Sequence, residues 1–507
     1  MLAWTIYISF IGAGLLLFVP RANARMARTV AMLAALTGFV FALAAAFAFR
    51  KGEIQAIAAF PWIPSLGIDY RLAADGISLT LVLLTGLAAI AGILFSWNIE
   101  YRTNEFFAFY LALIGGVYGV FLSFDLFLLF VFYEIAIIPK YFIIAIWGST
   151  RREYGAMKLA LYSFVGSAMV LVGLIAAYVV AGSKTMSLIE LAKFPFPVSF
   201  QMWAFPLVFV GFAILAGLWP FHTWAPTGHV AAPTAASMLL AGVVMKLGAY
   251  GCLRVAMTLF PQGLDSWTFS VIGLTSWRDV FSLLAVIGIV YGAMVALIQK
   301  DFKFVIGYSS VSHMGFVLLG LMTLNSTGLN GAVLQMFSHG IIAGLLFAVV
   351  GRMIYDRTHT REFSELNQMN LSQSLPFAAV TFTVAGVASM GLPGFSGFVA
   401  ELQVLVGAWQ MSPTLTVVAG CGVIVGVAYT LRALLQAFFP EHAGVSAPGL
   451  VHGNPLFEPI TIPERLGAVL LIGASLLIGL YPRLLLDFIG PSLNSPIFDG
   501  FRKVCGM

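Results

Sequence analysis

Residues 232–259 read APTAASMLLAGVVMKLGAYGCLRVAMTL, an apolar stretch with one lysine, Lys246, near its middle. The stretch is long enough for a membrane helix, which needs about 20 predominantly apolar residues. A charged side chain at the centre of a bilayer costs roughly 2.5–3.5 kcal/mol on insertion scales, and such residues mark ion or proton pathways by default. The stretch therefore predicts a membrane helix that carries a functional residue in its core.

The composition of the whole chain agrees with this prediction. Of its 507 residues, 60% are hydrophobic and 9% are charged, whereas soluble proteins carry about 25% charged residues. The lysines and arginines sit singly at the ends of apolar runs, unlike the clusters of nucleic-acid-binding proteins. The three cysteines are far apart in sequence, and no spacing typical of a zinc site, an iron–sulfur site or a nucleotide loop occurs. We therefore expect no nucleic-acid partner and a lipid bilayer around the chain.

Hydropathy predicts about fourteen membrane spans, with boundaries good to a few residues. One of them, 375–410, is too long for a straight helix and is cut by the sequence GLPG at 391–394. Another, 203–219, ends at a proline-rich segment that extends to Pro233. The predicted spans are 2–19, 28–49, 76–97, 106–123, 125–147, 157–181, 203–219, 232–259, 280–298, 303–324, 330–354, 375–410, 414–438 and 464–490.

Two groups of five spans, 106–259 and 280–438, each have a fourth span interrupted by proline. A repeat with an odd number of spans must be inverted in the membrane, and inverted repeats with broken helices are typical of transporters. The fold class is thus predicted as an all-α integral membrane protein with two inverted five-helix repeats, each containing a broken helix. Residues 1–105 form three helices before the repeats, and 439–507 form one helix and a tail after them.

The basic loops predict how the chain lies in the membrane. Most loops rich in Arg and Lys, including the one that holds Arg151 and Arg152, fall on one face of the fourteen-span arrangement. The positive-inside rule makes that face cytoplasmic, so both termini are expected outside. The first apolar stretch has no basic residues before it, so we interpret it as a retained helix rather than a signal peptide.

Titratable residues inside the predicted spans are the candidate functional residues. They occur one per helix and include carboxylates and bases, as a proton relay requires, because each group must both hold and release a proton. The candidates are Glu134, Lys158, Lys246, His313, His339 and Glu401.

Several of these residues also have structural interpretations. His313 and His339 could bond one helix to another, and Lys158 lies close enough to a helix end to snorkel. His222 and His229 flank the proline-rich break, where they could line an uptake path or satisfy freed carbonyl groups. Asp301 and Lys303 lie in a short loop and are expected to form a local ion pair, whereas Lys140, after Pro139, stays ambiguous.

Five stretches resemble one family. They are FYEIAIIPKYFIIAIWG (132–148), PFHTWAPTGHVAAPTAASMLLAGVVMKLGAYG (220–251), DFKFVIGYSSVSHMGF (301–316), MFSHGIIAGLLF (336–347) and GLPGFSGFVAE (391–401). Together they resemble the antiporter-like subunits of NADH:quinone oxidoreductase, or respiratory complex I, and subunit M in particular. The motifs are long and occur in the family's order, and the resemblance is strongest over 100–440.

The resemblance implies a row of protonatable residues through the middle of the membrane. By motif, Glu134, Lys246, His313 and His339 match family positions on the fifth, eighth, tenth and eleventh helices. Glu401 matches the glutamate of the broken twelfth helix, where sister subunits commonly have lysine. Quinone reduction elsewhere in the complex would drive each such module to move about one proton. The family implies no redox cofactor in this chain, with flavin, iron–sulfur clusters and quinone in partner subunits. Sister antiporter-like subunits are the expected partners, in the inner (cytoplasmic) membrane.

The chain departs from this pattern on the seventh helix. The family usually has a lysine seven residues before the histidine of PFHTW, and Leu215 stands there. Span 203–219 contains no basic side chain, so Glu134 lacks its usual partner. A buried carboxylate needs a nearby cation to stay ionised. We expect Lys158, on the next helix and at a similar depth, to be the cation nearest to Glu134.

Other functions remain open at this point. The chain could belong to a multisubunit cation/proton antiporter, whose large subunits share this ancestry. It could instead be a membrane module of a hydrogenase or another oxidoreductase that does not use NADH. A secondary transporter for a small molecule would need a polar pocket at the breaks, where only His and Thr occur.

Overall fold

Apolar α-helices make up most of the protein in the computed structural model, which describes residues 1–265, 274–439, 450–451, 454–455 and 457–505. Among these residues, twelve helices are long and apolar enough to cross a membrane. The main helices are α1 (Ala3–Phe18), α2 (Ala24–Phe47), α3 (Gly76–Phe95), α4 (Thr103–Leu122), α5 (Leu126–Trp147), α6 (Arg152–Val180), α7 (Val198–Ala216), α8 (Trp224–Ala231), α9 (Thr234–Met257), α10 (Trp277–Ile298), α11 (Phe302–Met322), α12 (Ser326–Thr358), α13 (Pro376–Ser389), α14 (Ser396–Met411), α15 (Pro413–Phe438), α16 (Ile462–Leu480) and α17 (Arg483–Leu493). Short helical segments occur at Leu188–Leu191, Phe363–Leu366, Leu371–Ser374 and Asp499–Cys505.

These helices confirm the predicted class of a helical integral membrane protein. Every predicted apolar stretch contains a helix, and the largest error concerns 464–490. There α16 ends at Leu480 and α17 begins at Arg483, because Pro482 lacks the N–H group that would continue the first helix. The count of fourteen spans, the inverted repeats and the four-part division of the chain stay predictions.

A β-hairpin between α2 and α3 was not predicted. Strand β1 (Gln55–Ile63) pairs antiparallel with β2 (Ile68–Ala74). Gly67 closes the turn with a φ of +63°, and its carbonyl accepts a hydrogen bond from the amide of Met186. The backbone amide of Asp69 donates to the carboxylate of Asp125 at 3.2 Å. The hairpin thus ties the start of α5 to the loop before α3. A second hairpin of two-residue strands, β3 (Leu450–Val451) and β4 (Asn454–Pro455), lies in the chain after α15.

Both predicted breaks are present. Helix α7 ends at Ala216, where Gly217 adopts a φ of +87°, and the chain resumes as α8 before Pro233 separates it from α9. The second break lies between α13 and α14, where Gly391 and Gly394 have φ values of +76° and +105°. Positive φ favours glycine because it has no Cβ atom. Each break therefore ends one helix inside the bundle and exposes polar backbone groups there.

Helices α9 and α12 form the centre of the bundle and are buried along their lengths. A buried ion pair fixes the end of α9: Arg254 Nη2 lies 2.5 Å from Asp75 Oδ2, and both side chains are fully buried. Asp75 also caps α3 by accepting a hydrogen bond from the amide of Ser78. Helices such as α2, α15 and α16 expose most of their apolar surface, as expected for helices at a lipid-facing rim.

Candidate functional site

Lys246 lies on the central helix α9 and is fully buried. On both sides of it, at Leu240–Val244 and Cys252–Met257, the helix widens into π-helical turns. Such turns are frequent at functional sites, because they disturb the regular pattern of backbone hydrogen bonds. The Lys246 amine donates to the carbonyl of Ala241 and lies 2.8 Å from Nδ1 of His339 on α12. The two central helices thus contact each other through a lysine–histidine hydrogen bond.

His339 faces a second histidine. Its ring centroid lies 5.5 Å from that of His313 on α11, and the two ring planes differ by 31°. Nε2 of His339 has no hydrogen-bond partner among the described residues. Both histidines line a cavity of about 10 Å³, together with Gln335, Ser389 and Glu401. A polar cavity of roughly 10–15 Å³ can hold one water molecule.

His313 contacts the carboxylate at the second break. Its Nδ1 lies 2.8 Å from Glu401 Oε1, and its Nε2 lies 3.1 Å from the Ser389 hydroxyl at the end of α13. The side-chain amide of Gln335 donates to the same carboxylate oxygen at 3.0 Å. Glu401 itself is buried in the first turns of α14. The break therefore brings a hydroxyl and a carboxylate to the two ring nitrogens of one histidine.

Four predicted residues thus form one continuous row across α9, α12, α11 and α14. The row consists of Lys246, His339, His313 and Glu401, and within it only the two imidazoles are not hydrogen-bonded to each other in the described structure. Each member can both accept and donate a proton. Such a row brings proton-exchanging groups from the middle of the bundle to the second break, and a transfer between the two histidines needs a water molecule or a ring movement.

Glu134 and Lys158 lie outside this row, and the prediction that they form a pair is wrong. The Lys158 amine lies 3.4 Å from the Thr227 hydroxyl and 5.9 Å above the ring of Tyr154. A different lysine, Lys140 on the same helix α5, donates to Ser163 of α6, one turn from the Ser167 that Glu134 contacts. The predicted depth of Lys158 in the membrane suggested the pairing, but the rotation of α6 about its axis directs the amine toward α8.

The residues around the first break also differ from expectation. His222 and His229 are buried, and none of their ring nitrogens has a hydrogen-bond partner within the described residues. They do not satisfy the freed carbonyl groups. Lys303 does so: its amine donates to the carbonyls of Ala232 at 2.6 Å and Val230 at 3.3 Å.

The expected ion pair between Asp301 and Lys303 is not formed. Asp301 instead pairs with Arg361, at 3.2 Å, and caps the start of α11 through the amides of Lys303 and Phe304. Sequence proximity favoured Lys303, but its amine is bound by the carbonyls of Val230 and Ala232 instead.

Sequence reasoning missed two residues that contact the site. Gln335 stands one turn before His339 on α12, and this i, i+4 spacing was a usable signal. Ser389 ends α13 beside the predicted break. No group of three or more His, Cys, Asp or Glu side chains suited to a metal ion occurs in the described part of the chain.

Comparisons with known proteins find relatives that match this chain over nearly its full length. The family described as "NADH:quinone oxidoreductase/Mrp antiporter, TM" matches residues 123–426. NADH-quinone oxidoreductase subunit M of Rhodobacter capsulatus is 37% identical over 484 residues, which cover 92% of this chain and 90% of that protein. NAD(P)H-quinone oxidoreductase chain 4 of Gloeobacter violaceus is 34% identical, covering 97% of this chain and 92% of the relative.

One chain of respiratory complex I from Thermus thermophilus has a TM-score of 0.86 and 28% identity, with 100% of both chains covered. A chain of the Mrp complex from Dietzia sp. DQ12-45-1b has the same fold, with a TM-score of 0.81 and 20% identity over 99% of this chain and 98% of that one. The matched segment includes all four residues of the row and both breaks. The chain belongs to the family of membrane subunits shared by NADH:quinone oxidoreductases and Mrp antiporters.

Proposed function

We propose that this chain is a proton-translocating membrane subunit of an NADH:quinone oxidoreductase, and that the row Lys246–His339–His313–Glu401 carries the proton. The observation that carries the proposal is the 2.8 Å contact between the Lys246 amine and His339 Nδ1. It joins two helices that are buried along their lengths, where a charged group has no structural need to be. The names of the relatives, subunit M and chain 4, support the same complex.

The roles within the row follow from position. Lys246 is the central carrier, because it lies deepest in the bundle and has one hydrogen bond back to its own helix and one forward to α12. His339 and His313 relay the proton across the small cavity that both of them line. Glu401 is the release site, because it lies at the second break, where the interrupted helix gives polar groups access to the middle of the membrane.

Glu134 and Lys158 belong to the uptake side of the proposal. Both lie in the first five-helix unit, upstream of Lys246, and Lys158 stands beside the broken segment through its contact with Thr227. His222 lies within reach of the Lys158 charge. A proton would enter from the face with the basic loops, which we assign to the cytoplasm, and leave on the face with both termini, in the inner membrane of a bacterium.

The chemistry that drives the pump is assigned to partner subunits. We propose that flavin, iron–sulfur clusters and quinone are held there, together with the sister antiporter-like subunits that flank this one. Reduction of quinone would act on this chain electrostatically, by changing the charge next to its buried titratable groups. The substrate of this chain is then the proton alone.

A second candidate is a subunit of a multisubunit cation/proton antiporter, which the fold shared with the Mrp complex supports. Purification of the tagged chain in mild detergent separates the two. An NADH:quinone oxidoreductase predicts co-purifying flavin and iron–sulfur absorption together with NADH oxidation that depends on added quinone. If the chain instead purifies only with small membrane subunits, and its vesicles exchange sodium for protons, the oxidoreductase assignment is wrong.

A further inference from the structure

Lys140 is a buried lysine that the proposed row does not use. It lies on α5, seven residues before the helix ends at Trp147, and 1% of it is exposed. Seven residues of helix span about 10 Å, so the amine does not reach the aqueous face by snorkelling. Its hydrogen bond goes to the Ser163 hydroxyl on α6 at 3.3 Å. Within the described part of the chain, no carboxylate forms an ion pair with it.

A lysine in this position needs an explanation. Ionisable residues inside the membrane are costly, and they usually pair with each other or line a proton pathway. A hydroxyl partner satisfies one of the three donors of an ammonium group and balances none of its charge. The environment of Lys140 therefore suits an amine that spends part of its time neutral.

The carboxylate on which Lys140 acts is Glu134. Both side chains face α6: Lys140 donates to Ser163, and Glu134 accepts from Ser167, one turn further along that helix. They are six residues apart on α5, or about 9 Å along the helix axis. Pro139 lies between them, inside the helix. A proline inside a helix removes one backbone hydrogen bond and kinks the helix, so the regular helical wheel does not describe how the two side chains face each other.

Among the described residues of the neighbouring helices, no other cation is positioned to balance the charge of Glu134. Lys158 is directed to Thr227 and Tyr154, as described above. Helix α7 contains no lysine or arginine. Oε1 of Glu134 has no hydrogen-bond partner among the described residues, so the carboxylate keeps a free position for a proton.

The arrangement of α6 and α7 shows where a lysine on α7 would reach. The two helices are antiparallel and touch closely at two glycines: a Cβ atom built on Gly166 would lie 2.5 Å from the carbonyl oxygen of Gly211. One turn further along each helix from this contact stand Ser163 on α6 and Leu215 on α7. Leu215 is buried. Position 215 therefore lies at the same depth as Ser163, the partner of Lys140.

We propose that Lys140 is the switchable cation of Glu134, a further proton-handling residue that loads the first half of the chain. In one state the ammonium of Lys140 faces the carboxylate of Glu134. In the other, the proton has moved from the lysine nitrogen to a carboxylate oxygen, one N–H bond is exchanged for one O–H bond, and both groups are neutral. Lys140 lies on the side of Glu134 nearer the basic loop of Arg151 and Arg152, from which the proton would come. The inference rests on the proposed function and adds the uptake pair to it.

The test uses the whole complex in proteoliposomes and measures protons translocated per NADH oxidised. Lys140→Met removes the amine at similar length. Lys158→Met compares the other uptake lysine, and Lys193→Met, at an exposed position, is the control with the same substitution. We expect Lys140→Met to lose as much proton translocation as Glu134→Gln, and the double variant to lose no more than either single one. Lys158→Met should lose clearly less than Lys140→Met.

A second test places a new lysine on another helix, α7. Adding Leu215→Lys to Lys140→Met should restore most of the lost translocation, because it returns a buried amine at the depth of Ser163 on a neighbouring helix. Normal translocation by Lys140→Met would overturn the inference. So would a loss in Lys140→Met that adds to the loss in Glu134→Gln and that Leu215→Lys does not reverse. If Lys246→Met in the same complex also pumps normally, the proposed function fails as well; if only Lys140→Met does, the row stands and the uptake pair alone is wrong.

Discussion

Replacing Lys246 by methionine is the most direct perturbation of the row. Methionine is unbranched and fills a similar space, but it cannot hold a proton. The substitution removes the hydrogen bond to Ala241 and the 2.8 Å contact with His339. Each buried polar group that loses its hydrogen bond to the lysine lowers the free energy of unfolding by about 1–3 kcal/mol. Removal of the buried amine relieves a desolvation cost of several kcal/mol whenever that amine is charged. Because these terms oppose each other, we expect the variant to fold and assemble.

The effect on proton transfer should be much larger than the effect on assembly. A positioned acid or base contributes roughly 100-fold to 10,000-fold to the rate of proton transfer. A loss of ~100-fold corresponds to about 2.7 kcal/mol in the barrier. No other titratable side chain is hydrogen-bonded to His339 in the described structure. Proton translocation through this subunit should therefore be largely lost, and coupled electron transfer should slow with it.

The assay is proton uptake by proteoliposomes, followed with a pH-sensitive dye and divided by NADH oxidation in the same sample. Lys193→Met is the control, because its side chain is exposed and belongs neither to the row nor to the uptake residues. The Lys246→Met complex should carry the full set of subunits but translocate fewer protons per NADH. A fully assembled Lys246→Met complex with the wild-type ratio would refute the central role of the lysine and, with it, the reading of the row.

Three further variants test other parts of the structure. Glu401→Gln keeps the shape of the release site but removes its charge, so protons per NADH should fall, whereas Glu401→Lys should keep part of the activity; an unimpaired Gln variant would contradict the assignment. Asp75→Ala leaves Arg254 buried without its partner and should lower the free energy of unfolding by about 3–5 kcal/mol. Heating followed by size-exclusion chromatography would detect this as loss of the folded peak at a lower temperature, and the additional change Arg254→Met should recover most of the lost stability. Gly166→Ala forces a Cβ atom to 2.5 Å from a carbonyl oxygen of α7 and should cost about 1–3 kcal/mol in the same assay, while Gly344→Ala, with no atom within 4 Å of the new Cβ, should be nearly neutral.

The membrane spans and the breaks were predictable because their signals are local. A run of apolar residues needs no partner to be recognised, and Pro233 and the GLPG sequence at 391–394 interrupt a helix wherever it lies. The first hairpin was missed because its segment, Gln55–Ile63, mixes apolar residues with a proline and lacks regular alternation. Its pairing depends on contacts with Asp125 and Met186, which are distant in sequence.

Pairings between helices were harder to predict than the candidates themselves. Four of the six candidate residues meet in one row, yet their order in space was not contained in the sequence. In a helix that is apolar on all sides, periodicity does not reveal which face meets which neighbour. Helices α9 and α12 are of this kind, since both are buried all round. The error over Lys158 has the same origin, because its depth was predictable but the direction of its amine was not.

The two breaks serve different purposes, and this difference bears on how a proton reaches Lys246. At the second break, Ser389 and Glu401 take both ring nitrogens of His313, so the interruption becomes part of the row. At the first, the freed carbonyls of Val230 and Ala232 hold the Lys303 amine, and the nearby His229 makes no hydrogen bond among the described residues. The first break therefore fixes a cation instead of extending the row. Under the proposed function, a proton bound for Lys246 would come past His229 or from Glu134. The pair of Glu134 and Lys140 gives the second route a donor that the chain would otherwise lack, since α7 supplies none.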